Sequence, residues 1–87
     1  MLRSHQPKVF AKQYKKLSLR VRQKFNERLR VFETDPFDKI LNNHSLHGEY
    51  EGYRSINITG DYRAIYFIDK AVAVFIRIGT HSELFGK

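Results

Sequence analysis

Apolar residues recur along the first third of the chain at helical intervals. Val9, Phe10, Tyr14 and Leu17 share one side of a stretch whose other side carries Lys8, Lys12, Lys15 and Lys16, the spacing of an amphipathic helix. Pro7 suits the entry to such a helix, so the pattern predicts a first helix over Pro7–Leu17. Ser18 then stands as an N-cap, and Val21, Phe25, Leu29 and Phe32 follow along one stripe, predicting a second helix over Leu19–Glu33. Thr34, Asp35 and Pro36 end it, because proline has no N–H for the ladder and steers its predecessor out of helix. The two helices form an antiparallel hairpin. Ahead of them, Met1, Leu2 and the alternation that follows are compatible with a first strand leading into Pro7.

From Phe37 to Gly52 the periodicity lapses into a polar connection, with Ile40, Leu41 and Leu46 available to tack it to a core. A loop of this length is a natural carrier of function. The pattern then changes to runs rich in β-branched and aromatic residues, YRSINI, DYRAIYFI and AVAVFIRI, separated by Thr59-Gly60 and Asp69-Lys70. Three such runs with short connections predict an antiparallel meander. Both alternating sets of the last two runs are largely apolar, which places those strands centrally, covered on most of both faces. The fold expected is therefore α+β: two N-terminal helices on one face of a twisted antiparallel sheet of about four strands, with the other, concave face open. Arg63 and Arg77 stand out as charges inside apolar strands, where an unpaired charge is costly.

A chain of 87 residues with a 41% apolar share and 12 Phe and Tyr side chains fits one compact domain, residues 1–87, and no second core. Sixteen Lys and Arg against nine Asp and Glu give a net charge of +7. That field attracts polyanions such as RNA, DNA, acidic lipid or an acidic protein. There is no cysteine, which excludes disulfides, thiolate chemistry and Cys-based zinc frameworks and suits a reducing cytoplasm. The opening MLRSHQPKVF lacks a signal-type apolar run, and no stretch approaches the roughly 20 apolar residues of a membrane helix. A soluble cytoplasmic protein is the expectation.

The candidate chemistry lies in the C-terminal half, where His44, His47 and His81 accompany Arg54, Arg63, Arg77 and Asp61. Metal-free RNA cleavage needs a base for the ribose 2′-hydroxyl, an acid for the departing 5′-oxygen, and cations for the phosphorane. Imidazole, with an ordinary pKa near 6.5, serves either proton role at neutral pH. His44 and His47, three residues apart, have neither cysteine nor a fixed third ligand beside them, so neither a metal nor another cofactor is expected. Taken singly, each loop histidine also reads as solvated surface, the lysines of the first helix as a solvated face, and Asp61 beside Gly60 as turn chemistry.

The ordered set GYR, a strand opening on Asp and an aromatic, and RIGTHSELFG, preceded by NHSLHGEYEG and a Phe-, Lys- and Arg-rich helical hairpin ending in DPF, resembles the RelE/ParE superfamily of bacterial toxins. It is most similar to the YafQ-type branch, over essentially the whole chain. The resemblance implies a toxin that enters the ribosomal A site, cleaves the mRNA there as a ribosome-dependent endoribonuclease, and is silenced by a cognate antitoxin in a hetero-oligomer. It also implies roles: His44 and His81 in acid–base catalysis, Arg77 on the phosphate, Asp61 as the strand-opening acid, and Phe85 as the C-terminal aromatic. Arg63 matches a functional arginine of the YoeB-like branch, and Arg54 lies in GYR; both are expected to contact substrate. Asn57 stands where the branch has a histidine, and Tyr62 where it has a tryptophan. An amide hydrogen-bonds but does not exchange protons near neutral pH, so Asn57 is assigned positioning. Two other readings of the residues stay open: a noncatalytic toxin of the ParE kind that binds DNA gyrase, and a basic RNA-binding module whose site has decayed.

Overall fold

The computed structural model describes residues 1–86. Its elements are β1 (Arg3–His5), α1 (Lys8–Lys15), α2 (Leu19–Thr34), β2 (His44–Ser45), β3 (Arg54–Asn57), β4 (Tyr62–Asp69), β5 (Val72–Thr80) and α3 (His81–Phe85). The two expected helices form within a few residues of their predicted limits. The Ser18 hydroxyl accepts the Val21 N–H at 3.3 Å, which caps α2 as its position suggested.

The apolar stripes of both helices meet one face of the sheet, except that Val9, read as part of the first stripe, is exposed. Phe10, Phe25 and Phe32 are buried against Ile56, Tyr66 and Phe75. Phe32 meets the rings of Tyr66 and Phe75 edge-on, with centroids 4.9 and 5.3 Å apart, the arrangement in which aromatic quadrupoles attract. Tyr66 keeps its polar end satisfied by accepting a hydrogen bond from Asn43 Nδ2 at 2.7 Å.

The sheet departs from expectation in strand number and sense. It has five strands in the order β1-β5-β4-β3-β2. β1 runs parallel to β5, with Arg3 opposite Val72 and His5 opposite Val74, so the sheet is mixed rather than antiparallel. The chain leaves β1 and crosses one face as two helices before it returns, and such a crossover allows a parallel neighbour. β2 is only two residues long, too short to leave a periodic trace in the connecting loop.

β4 and β5 are joined by Lys70 and Ala71, at φ 50° and 67°. A two-residue hairpin whose twist matches its strands needs positive φ at both positions, and here it is made without glycine. β1 pairs with β5 only as far as Val74, leaving the edge of β5 uncovered by it beyond that point. There Gln13 of α1 supplies the missing acceptor, its Oε1 receiving the Ile78 N–H at 3.0 Å.

Candidate active site

A bulge decides which face carries Arg77. Ala73 and Phe75 belong to the helix-side core, and strict alternation would send Arg77 after them. The β4–β5 register instead slips, with Ile65 opposite Arg77 but Tyr66 opposite Phe75. The extra residue, Ile76, reverses the alternation. Ile78 returns to the core, and Arg77 joins Ile65 on the opposite face.

The same pairing continues across the sheet. Ile65 lies opposite Ser55, and Ser55 opposite His44, so His44 and Arg77 end one transverse row on one face. They are three strands apart, about 14 Å between backbones at the usual strand spacing. His44 is exposed, with Nδ1 2.8 Å from the Asn42 carbonyl oxygen. A carbonyl only accepts, so in the neutral ring the proton sits on Nδ1 and Nε2 keeps its lone pair, the tautomer a general base needs.

α3 folds back over this face, and Leu84 packs with Ile65 and Leu46. The approach is close: a Cβ at Gly79 would stand 3.0 Å from Glu83 Oε1 and 3.5 Å from Leu84 Cδ2. Thr80 and Glu83 form a reciprocal capping box. The Thr80 hydroxyl accepts the Glu83 N–H at 3.1 Å, and Glu83 Oε1 accepts the Thr80 N–H at 2.7 Å. In a helix of five residues these bonds secure much of the backbone. Thr80→Ala is expected to cost about 0.5–2 kcal/mol, measured as a lowered melting temperature with faster amide exchange confined to α3.

The helix so anchored holds His81 and Phe85 one turn apart, their rings 4.9 Å between centroids. Phe85 meets Tyr50 edge-on at 5.9 Å, and Arg77 Nη1 donates to the Tyr50 hydroxyl at 3.0 Å. His81, Phe85, Tyr50 and Arg77 therefore form one contiguous string. Beside it, a groove of about 300 Å³ is lined by Arg77, Lys16, Gln13, Tyr62 and Glu83. Arg77 Nε is buried without a partner.

The remaining expected residues are placed differently. The Asp61 main-chain carbonyl accepts the His81 N–H at 3.0 Å, joining the start of β4 to α3, while its side chain is exposed. Arg63 shares the face of Arg77 but turns its Nη1 onto the carbonyls of Thr59, Gly60 and Tyr62 at 3.0–3.2 Å. Its charge is thereby compensated by the turn. Arg54 lies opposite Tyr66 and so on the helix side. Its Nε donates to Asn43 Oδ1 at 2.8 Å and its guanidinium sits 5.3 Å from the centre of the Phe37 ring, fastening the loop away from Arg77. Asn57 lines a second groove with Arg20, Lys24 and Arg28 of α2.

Three further residues surround the string: Tyr50, which the sequence assigned no role, His47, read there as solvated surface or an incomplete metal pair, and Lys16, read as part of a solvated helix face. Tyr50 belongs to a single turn of 3-10 helix, Gly48–Tyr50, inside the polar loop. His47 lines a pocket with Tyr50, Leu84 and Phe85. Lys16 reaches the Arg77 groove from the end of α1. Each is brought in by folding, not by spacing. Among the described residues, no group of three or more His, Cys, Asp or Glu side chains is placed to hold a metal. No helix among them is long and apolar enough to cross a membrane.

Comparison with known proteins places this geometry in a family. Residues 2–86 match the family described as the bacterial toxin of type II toxin-antitoxin system, YafQ. The mRNA interferase toxin YafQ of Escherichia coli K12 is 34% identical over 58 residues, which are 67% of this chain and 63% of that protein. The aligned stretch thus spans under two thirds of the curated relative. Among solved structures, the E. coli DinJ-YafQ toxin-antitoxin complex superposes with a TM-score of 0.78 at 26% identity, covering 99% of this chain and 100% of the matched one. A mutant toxin from Helicobacter pylori, solved with copper bound, gives 0.70 at 27% identity, covering 98% and 100%. With the match running from the second residue to the next-to-last, the chain belongs to the YafQ family of bacterial toxins of type II toxin-antitoxin systems.

Proposed function

We propose that the protein is an mRNA interferase, an endoribonuclease that cuts mRNA in the ribosomal A site by metal-free acid–base chemistry and is held inactive in the cytoplasm by an antitoxin. The observation that carries this reading is the string His81–Phe85–Tyr50–Arg77 on the face that also bears His44. His44 Nε2 takes the ribose 2′-proton, and the 2′-oxygen attacks phosphorus. The P–O5′ bond breaks as His81 protonates the leaving oxygen. Arg77 stabilises the added charge of the phosphorane, and Phe85 offers a face on which a base stacks. The family match and the mRNA interferase name of its E. coli member support the substrate. The DinJ-YafQ assembly of a structural relative supports the antitoxin, for which the +7 charge invites an acidic segment.

The test is the chemistry of the ends. Transcript cut in a translating extract should carry a 2′,3′-cyclic phosphate or 3′-phosphate and a 5′-hydroxyl. Cleavage should also survive chelation on a substrate complex that stays assembled without free magnesium. Products with a 5′-phosphate would remove the mechanism. Intact RNA with inhibited gyrase supercoiling would move the chain to the noncatalytic reading.

Tyr50 acts here as a positioning residue for Arg77. Tyr50→Phe keeps the packing on Phe85 and removes one hydrogen bond to a charged group, worth about 1.5 kcal/mol. Single-turnover cleavage should fall about tenfold with ribosome affinity unchanged. A rate equal to wild type would show that Arg77 holds its place without the hydroxyl.

A further inference from the structure

We propose that Asn43 is a positioning residue for His44: its amide fixes the peptide plane whose carbonyl holds the imidazole with Nδ1 protonated and Nε2 free. The inference rests on the reading of His44 as the general base, and it begins from how little else holds that side chain. β2 is two residues long and lies at the edge of the sheet. His44 is exposed, and among the described residues its ring has one hydrogen bond, from Nδ1 to the Asn42 carbonyl oxygen at 2.8 Å. The nitrogen that bonds a fixed acceptor keeps the proton, and the other is left with the lone pair. The tautomer is therefore only as well defined as the direction of that carbonyl.

A peptide unit is planar, so the Asn42 oxygen turns with the backbone of Asn42 on one side and of Asn43 on the other. On the first side, Asn42 closes the 3-10 turn Lys39–Leu41 in left-handed backbone, at φ 45° and ψ 49°, a conformation that asparagine tolerates. Its N–H reaches the Lys39 carbonyl at 3.2 Å, and Leu41 beside it is fully buried. On the second side, Asn43 is tied to three parts of the fold at once. Its Nδ2 donates to the Pro36 carbonyl and to the Tyr66 hydroxyl, both at 2.7 Å, and its Oδ1 accepts from Arg54 Nε at 2.8 Å. Pro36 lies in the segment after α2, Tyr66 in β4 and Arg54 in β3.

These partners admit one orientation of the amide. Turned over, it would set its oxygen against the Pro36 carbonyl and its NH₂ group against the guanidinium, acceptor on acceptor and donor on donor. The anchors are themselves held. Tyr66 is 2% exposed, with its ring packed on Phe32 and Phe75, and the Arg54 guanidinium sits 5.3 Å from the centre of the Phe37 ring. Successive residues of a strand face opposite sides of the sheet. Asn43 thus passes the rigidity of the helix-side core to a histidine on the other face, as a supporting shell does for a reacting group. A role confined to stapling the loop to the core would be felt in stability and would leave the ring's tautomer where it is.

The experiment reads tautomer and rate in the full chain. Long-range proton–nitrogen spectra of protein carrying isotope-labelled histidine, recorded with the rings neutral, report which nitrogen holds the proton, and His44→Gln identifies the His44 signals. In Asn43→Ala the ratio of the Nδ1–H to the Nε2–H form of His44 should fall about fivefold, the worth of one neutral hydrogen bond, with His81 unchanged. Single-turnover cleavage at saturating ribosomes should fall by a similar factor while ribosome affinity holds. Asn43→Asp supplies the rescue: a carboxylate still accepts from Arg54 Nε, and the Tyr66 hydroxyl can turn to donate to it, so most of the ratio and of the rate should return. Tyr66→Phe removes one of the three bonds without leaving a buried hydroxyl unpaired. It should move the ratio the same way by less, and it carries the test if Asn43→Ala is unstable. In a His44→Gln background, Asn43→Ala should lower the rate no further. An unchanged tautomer ratio in the folded variants would overturn the positioning role whatever the rates, and an additive loss in the His44→Gln background would overturn it by placing the effect elsewhere. Wild-type cleavage by His44→Gln would overturn the base assignment itself, a failure kept apart from that of the geometry because the spectra do not depend on cleavage.

Discussion

His81→Gln is expected to lower single-turnover cleavage on programmed ribosomes by about 10²- to 10⁴-fold, the usual contribution of a positioned general acid, and to abolish growth inhibition. His81 is exposed, so its exchange for another polar side chain should hardly alter the melting temperature. Its backbone is fixed from two sides, by the N–H bond to the Asp61 carbonyl at 3.0 Å and by the adjacent Thr80–Glu83 capping box. Its ring rests on Phe85. The imidazole is thus held by a short, doubly anchored helix beside a rigid strand, and that pre-organisation is what makes one proton donor worth so much. Glutamine hydrogen-bonds but carries no proton to give near neutral pH. A folded, ribosome-binding His81→Gln protein that cleaves at near-wild-type rates would sink the assignment. Loss of ribosome binding would make His81 a docking residue instead.

What could be read from the sequence was what periodicity encodes. Both helices, the Ser18 cap, the stop at Asp35-Pro36 and the β3–β4–β5 meander all follow from spacing and turn chemistry. The side of the sheet on which Arg77 falls does not, because it depends on one inserted residue, Ile76, within a run that is apolar on both alternating sets. Simple alternation would bury the guanidinium beside Phe75. Arg54 and Arg63 illustrate the converse: their residue type suggested phosphate contact, and folding gave each a partner inside the protein, Asn43 and Phe37 for one and the Thr59–Tyr62 turn for the other. Tyr50 gave no signal because its significance is a tertiary hydrogen bond 27 residues along the chain. α3 did leave one. The spacing of Thr80 and Glu83 is that of a capping box, and it marks a helix start directly after the last strand.

Arg77 should prove as sensitive as the histidine. Arg77→Ala is expected to slow single-turnover cleavage by about 10²- to 10³-fold, the range found when one pre-organised donor to a developing oxyanion is removed. Its guanidinium is steered by the bulge onto the face that bears His44 and is held there through Nη1 by Tyr50, and the residue lines the groove shared with Lys16 and Tyr62. The buried Nε has no partner, so the protein does not use up the side chain's hydrogen-bonding capacity. Arg77→Lys separates charge from geometry. Lysine restores a positive charge but neither the planar fork nor the bond to Tyr50 in the same direction, so it should recover only part of the loss. In the double variant with Tyr50→Phe, the tyrosine's contribution should vanish once Arg77 is alanine, because it acts only through the arginine, giving a coupling of about the size of the Tyr50→Phe effect itself. Rates are compared at saturating ribosomes alongside thermal melts, so that a folding defect is read separately. Full activity in Arg77→Lys would reduce the arginine to a source of charge, and additive losses in the double variant would assign Tyr50 a contact of its own with the RNA.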